Sequence, residues 1–264
     1  MKALRLHRWN VTPREASRIQ LRLRTRFEPA DRLGPVERIA GADVALDEAR
    51  QVAVAGVIAY KFPEMEEIER VWAQHRLTFP YVPGLLSFRE IPVLLRAFRK
   101  LACGVDVIFC DGHGYAHPRR FGIASHLGVL LDCPTIGCAK SILVGEPREP
   151  ALSAGSWAPL VDRDETIAAV LRTRERTNPV YISQGHRISL STAIELTRAV
   201  IDGFRVPRPT RDADHFVGEV KRMLQGGQRS GQSMGRKIKT GGEKPGGCST
   251  SRGGWGDCRK DSAG

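Results

Sequence analysis

Two aspartates stand where the chain is otherwise apolar. Asp43 lies between Ala42 and Val44 in IAGADVAL (39–46), and Asp111 closes the run DVIFC ahead of Gly112. A carboxylate is expensive to bury unless it is paired or bound to a cation. Two of them on neighbouring strands would supply the oxygen donors a hard divalent cation takes. Each also has a plainer reading, Asp43 as a hairpin residue and Asp111 as a turn residue before a glycine. Glu90 is a third candidate. Ser87-Phe88-Arg89-Glu90 has the capping-box pattern, but Pro92 has no N–H and is tolerated only in a first helical turn. The helix is therefore expected to begin a few residues beyond Ser87, which leaves Glu90 free to face the site. Lys140, in TIGCAKSILV, is not expected to be fully buried without a partner. Facing the carboxylates, it would hold a phosphate or orient an attacking water.

Two loops carry further chemistry. GHGYAHPRR (112–120) follows Asp111, and its glycines Gly112 and Gly114 permit close backbone approach to a ligand. His117 would serve as base, ligand or phosphate donor, although a lone histidine is usually none of these. Arg119 and Arg120 suit phosphate contacts. PYVPGLL (80–86) is a rigid loop that presents Tyr81 and Leu86. It reads either as a surface turn packed on the core or as a wedge that enters a base stack. GCAKS (137–141) has the look of a P-loop ending, but the required first glycine is missing. GxSxG and GxGxxG are absent, which argues against an α/β-hydrolase and a dinucleotide fold.

These residues need elements to position them. Thr12-Pro13-Arg14-Glu15 is a capping box with proline at the first helical position, and Ala16, Ile19, Leu23 and Phe27 continue at helical spacing. IAGADVAL (39–46) and QVAVAGVIAYKF (51–62) read as a hairpin. EEIERVWAQHRLTF (66–79) supplies a third strand near its end. A helix follows, with Ile91, Leu94, Leu95, Phe98 and Leu101 on one face. DVIFCDG (106–112) is a buried strand, a helix runs through FGIASHLGVLL, and TIGCAKSILV (135–144) is another strand. WAPLV and AVLRTR read as short edge strands, and NPVYISQG (178–185) is a strand entering a helix, LSTAIELTRAVI. A leading meander followed by strand–helix alternation predicts an α/β fold, one mixed sheet with helices on its faces.

The 264 residues carry a net charge of +12, which favours polyanionic partners, nucleic acid or an anionic membrane surface. No run of about 18 apolar residues exists, so no membrane-spanning helix is expected. The N-terminus has no apolar leader segment, and the expected location is the cytoplasm. The six cysteines show neither zinc spacing nor a CxxC pair and read as free thiols, four of them in apolar surroundings. Residues 1–224 are expected to form the catalytic domain. Residues 225–264, basic and rich in glycine and serine, read as a disordered tail. That tail is taken as a dispensable extension, with electrostatic holding of DNA as the alternative.

Taken together, GADVAL (41–46), PYVPGLLSFRE (80–90), DGHGYAHPRRFGIASHLGVLLDCPTIGCAKSIL (111–143), YISQGHRISLSTAIEL (181–196) and RVPRPTRDADHF (205–216) resemble the endonuclease V (deoxyinosine 3′ endonuclease) family over residues 10–222. The resemblance implies a ribonuclease H-like fold with a five-to-six-stranded mixed sheet. It implies hydrolysis of the second phosphodiester bond 3′ to hypoxanthine in damaged DNA, leaving 3′-hydroxyl and 5′-phosphate ends, with Mg²⁺ or Mn²⁺. By motif, Asp43 and Asp111 match the metal-binding aspartates and Glu90 the third acidic residue, while His117 and Lys140 match the active-site histidine and lysine. Tyr81, Pro83, Gly84 and Leu86 match the wedge, and Gly112 and Gly114 match the loop lining the pocket for the flipped base. Departures are Tyr115 in place of an aliphatic residue, Cys138 in place of valine, and the tail. Tyr115 is expected to bear on the shape of the base pocket. The expectation is a monomer. Two alternatives stay open: an endoribonuclease acting on inosine-containing RNA, and a lesion-binding protein without catalysis.

Overall fold

The structure is a computed structural model that describes the backbone of residues 1–233 and the side chains of residues 1–226. Residues 1–226 form one compact unit. In chain order the elements are α1 (Pro13–Leu23), β1 (Arg38–Asp47), β2 (Val52–Lys61), β3 (Glu66–Arg76), α2 (Leu86–Phe98), β4 (Val107–Asp111), α3 (Ile123–Leu131), β5 (Thr135–Ala139), β6 (Glu146–Pro147), β7 (Trp157–Asp162), β8 (Glu165–Leu171), β9 (Val180–Gln184), α4 (Leu190–Ala199) and α5 (Arg208–Ser233). The strands form a single sheet in the order β3-β2-β1-β4-β5-β9-β8-β7-β6. β1, β4 and β5 run parallel at its centre, and every other neighbouring pair is antiparallel.

α1 begins as its capping box dictates. Thr12 accepts from the Glu15 backbone N–H, and Glu15 accepts from the Thr12 backbone N–H. The sheet is buried on both faces. On one, Ala42, Val57 and Ile108 pack against Leu94 and Phe98 of α2 and Leu127 and Leu130 of α3. On the other, Ile39, Val54, Phe109 and Ile136 pack against Ile194 of α4 and Phe216 and Val220 of α5. Two-sided burial explains why the central strands read as continuous apolar runs.

The α/β expectation holds, with differences in detail. The sheet has nine strands rather than five or six. β8 is not an edge strand, because it lies between β9 and β7, and its run IAAVL is wholly buried. β3 is a strand from its first residue. As the edge of the sheet it keeps Glu66 and Glu67 exposed, which discourages further pairing. α2 begins at Leu86, earlier than Pro92 suggested, and Pro92 lies inside it. Burial of Ile91, Leu94, Leu95 and Phe98 holds the helix against the sheet despite the missing N–H. α5 was not anticipated, and it continues to Ser233. It lies flush on the sheet because Gly41 in β1 has no side chain: a Cβ there would stand 1.9 Å from the Pro209 carbonyl oxygen. Beyond Ser233 the tail expected from the sequence falls outside the described residues. Among the described residues no helix is long and apolar enough to cross a membrane.

Candidate active site

The parallel strands deliver their chemistry to one edge. Ala42 of β1 pairs with Cys110 of β4, so Asp43, still within β1, and Asp111, the last residue of β4, stand side by side. Asp111 in turn pairs with Cys138 of β5, and Lys140 follows just past the end of that strand. Lys140 Nζ lies 2.7 Å from Asp111 Oδ2 and 3.4 Å from Asp214 Oδ2 on α5. Glu90, 8% exposed, comes in from α2.

This crowding of carboxylates has electrostatic consequences. Burial, and then the charge of Asp111, push the Asp43 carboxyl up to about 7. Burial and the charges of Asp43 and Asp111 hold Glu90 well above the ordinary carboxylate range. Asp111 is raised by burial, against the opposing hydrogen bond from Lys140. Burial works against the charge on Lys140, but Asp111, Asp214 and Asp43 more than offset it and keep the ammonium charged. Asp43, Asp111 and Asp214 thus face one lysine, with Glu90 beside Asp43 and Asp111, and the excess negative charge is what a divalent cation would neutralise through oxygen donors. The residues fit such an ion in charge and donor type, although among the described residues no three His, Cys, Asp or Glu side chains form a closed ligand set.

Beside the carboxylates lies a cleft of about 250 Å³, walled by Tyr81, Pro83, Gly84 and Leu86 on one side and by Gly112, His113, His117 and Ile123 on the other. That volume is below the range of drug-sized pockets and suits a single planar base. The loop carrying Tyr81 is held at one atom. The Gly84 carbonyl oxygen accepts from Gln20 Nε2 at 3.2 Å, His117 Nε2 at 2.9 Å and Arg119 Nη2 at 2.6 Å. Gly84 adopts φ +76°, a conformation that favours glycine. The second ring nitrogen of His117, Nδ1, accepts from the Arg119 backbone N–H at 3.1 Å. Burial, and then the neighbouring Arg119 charge, push His117 down to about 4, so the ring is neutral near pH 7. Tyr81 itself is 70% exposed, with the Arg89 guanidinium 5.9 Å from its ring.

Asp43, Glu90, Asp111 and Lys140 come together at the strand ends, and Tyr81, Pro83, Gly84, Leu86, Gly112 and His117 come together around the cleft. The remaining candidates are placed differently. Arg120 is a buried clamp rather than a free phosphate ligand: its guanidinium reaches Asp162 at 2.6 Å and Glu165 at 2.9 Å. Arg119 spends its guanidinium on Gln20 and Gly84. Gly114 is buried against β9, where a Cβ would stand 2.3 Å from the Gln184 carbonyl oxygen; it supports the cleft from behind. Tyr115 is not in the cleft wall. It donates to Glu165 at 2.6 Å and stacks on Phe27. Sequence reasoning missed Gln20, Arg89 and Asp214. Asp214 had no signal, since an acidic residue in a polar helix looks like any solvated surface position.

A mixed sheet of this topology, with clustered carboxylates at the ends of parallel strands and a lysine beside them, places the chain among ribonuclease H-like hydrolases. A sequence profile of the endonuclease V family matches residues 19–215. The endonuclease V of Roseiflexus sp. strain RS-1 is 47% identical over 206 residues, covering 78% of this chain and 92% of that protein. Among solved structures, endonuclease V from Streptomyces avermitilis superposes with a TM-score of 0.79 at 40% identity, covering 82% of this chain and 96% of the other. Ciona intestinalis endonuclease V, solved with a 24mer DNA containing an inosine followed by a ribo-adenosine, superposes with a TM-score of 0.70 at 25% identity over 80% of this chain and 98% of the other. The chain belongs to the endonuclease V family and is an endonuclease.

Proposed function

We propose that the protein is a metal-dependent repair endonuclease that recognises deoxyinosine in DNA and hydrolyses the second phosphodiester bond 3′ to it, leaving 3′-hydroxyl and 5′-phosphate ends. The observation that carries this reading is the adjacency of two features: the cluster of Asp43, Glu90, Asp111 and Lys140, and a base-sized cleft behind the exposed Tyr81. Nuclease chemistry needs the first, and reading a lesion needs the second. The Ciona relative, solved with inosine-containing DNA, supports the choice of lesion.

Hypoxanthine pairs weakly, so extruding it costs less than extruding adenine. Tyr81 and Leu86 fill the gap in the stack, and the backbone at Gly112 meets the edge of the extruded base. Asp43 and Asp111, with Glu90 beside them, are the residues that would hold Mg²⁺ or Mn²⁺. When bound there, the ion neutralises phosphate charge and makes water a better nucleophile near neutral pH. Lys140 favours the ionised form of Asp111 against the effect of burial and aligns the attacking water or steadies the phosphate oxygens. His117, through Gly84, holds the wedge loop at its working distance.

The test is cleavage of a labelled duplex bearing one deoxyinosine, with Mg²⁺ or with EDTA, by wild type and Asp43→Ala. The expected result is metal-dependent cutting one nucleotide beyond the lesion, absent in the variant. Binding without cutting by wild type, followed by cutting of the matching inosine-containing RNA, would transfer the activity to RNA. Binding with neither cut would make the chain a lesion-binding protein.

A further inference from the structure

The clamp on Arg120 removes one expected phosphate ligand and raises the question of which cations hold the nucleic-acid backbone. α1 offers an answer. Arg14, Arg18 and Arg22 are all exposed and follow one another at i, i+4 spacing, so they share the helix face opposite the buried Ala16, Gln20 and Leu23. Like charges four residues apart destabilise a helix, and Arg14 also sits in the first turn, the positive end of the helix dipole. Among the described residues neither Arg14 nor Arg18 has an ion-pair or hydrogen-bonding partner for its guanidinium; the acid in α1, Glu15, is taken by Thr12 and Arg8. A helix that was only a structural element would do better with alternating charge here.

A second feature lies alongside. The N-terminal segment runs beside α1 and leaves a groove lined by Arg8, Arg18 and Arg22 together with Leu6, Val11 and Ile19. Arg22 Nη2 donates to the Leu6 carbonyl at 3.1 Å, which holds its guanidinium across the groove. The inner face of the same helix is tied to the wedge loop, because Gln20 donates to Gly84 and accepts from Arg119. The arginine row is therefore one helix diameter, roughly 10 Å, from the loop that carries Tyr81. Its two i, i+4 steps extend about 12 Å, the axial length over which one strand of duplex DNA presents about three to four phosphates.

We propose that the outer face of α1, with Arg14, Arg18 and Arg22 and with Arg8 across the groove, docks the phosphodiester backbone of the nucleic acid flanking the lesion. The inference rests on the endonuclease reading above. The partner is a backbone rather than a base, because the row offers guanidinium groups, and the carboxylate that also lines the groove, Glu15, is engaged by Arg8 and Thr12.

The experiment measures binding of a deoxyinosine duplex in EDTA as a function of salt, for wild type, Arg14→Gln/Arg18→Gln, Arg14→Lys/Arg18→Lys, and Arg96→Gln/Arg99→Gln. The last pair removes the same charge from the far end of α2. Loss of two phosphate contacts lowers the slope of log affinity against log salt by about 1.8, so the glutamine variant loses about 12-fold less affinity than wild type between about 50 and 200 mM salt. The expected result is that slope change in the α1 glutamine variant alone, its restoration by lysine, and an unchanged preference for deoxyinosine over adenine. An unchanged slope would overturn the docking surface while leaving the endonuclease reading intact. An equal change in the Arg96/Arg99 variant would overturn it too, since net charge and not the α1 face would then govern binding. Vesicle binding that depends on Arg14 and Arg18, with duplex binding unaffected, would reassign the face to anionic lipid. Failure of wild type to bind any deoxyinosine duplex would overturn both readings.

Discussion

His117 gives a pH signature that can be worked out from its surroundings. The ring is buried, donates to Gly84 and accepts from Arg119, and its folded-state value is pushed down from 6.5 to about 4. Because the folded value lies below the unfolded one, the unfolded chain takes up the proton first. The stability is complete above pH 6.5 and is lost as pH falls from there towards 4. At pH 5 the loss is about 2 kcal/mol from this one residue, a sizeable part of a total that is typically about 5–15 kcal/mol. The charged ring would also lose its acceptor at Nδ1 for the Arg119 backbone N–H, while Nε2 still donates to Gly84. His117→Gln keeps an amide donor for Gly84 and an amide acceptor for the Arg119 N–H but cannot take up a proton. Urea unfolding at pH 7.5 and pH 5, for wild type and His117→Gln, measures the effect. The wild type should lose about 2 kcal/mol more than the variant between the two conditions. Losses equal to within about 0.5 kcal/mol, near the error of the extrapolation, would refute the neutral-clamp reasoning.

The raised carboxyl of Asp43 makes the fold less stable as pH rises through the interval from 3.8 to about 7; Asp43→Asn should therefore raise Tm at pH 8, by up to a few kcal/mol of stability, while cutting falls by roughly 10²–10³-fold. Lys140→Met removes the cation that favours the ionised form of Asp111, so the cleavage–pH profile should move to higher pH and lose amplitude, measured as initial rates from pH 6 to 9. Arg120→Ala removes the clamp on Asp162 and Glu165, which keep solvent and, for Glu165, the Tyr115 hydroxyl as partners, and should cost about 1–3 kcal/mol in urea unfolding, with no change in the salt slope of duplex binding. Gly41→Val drives a side chain into the Pro209 carbonyl; it should destabilise by about 1–3 kcal/mol and reduce cutting more than the stability loss explains, because α5 carries Asp214.

The centre of the site was legible because its residues break a local rule. A carboxylate inside IAGADVAL or at the end of DVIFC invites a question that no periodicity answers, and the parallel pairing of β1 with β4 then sets the two together. Tyr81 and Leu86 were legible as apolar groups in a proline–glycine loop. The commitments of Arg119 and Arg120 were not, since their partners Gln20, Asp162 and Glu165 lie 42 to 99 positions away in sequence. Asp214 obeys every rule of a surface helix, and only the docking of α5 brings it to Lys140. That helix carries Pro209 in its first turn, where proline is accommodated.

The contact between Gly41 and Pro209 also has a temporal side. Strand β1 is made early during synthesis, whereas the helix that lies on it and completes its carboxylate cluster is among the last described elements to be made. Contacts of such long sequence separation form slowly, after local structure has already appeared. A nascent or truncated chain lacking α5 can pair its hairpin and form α2 and yet lack Asp214 opposite Lys140. Full assembly of the site thus waits on the synthesis and docking of α5, so copies that stop short of that helix lack Asp214 in the cutting centre.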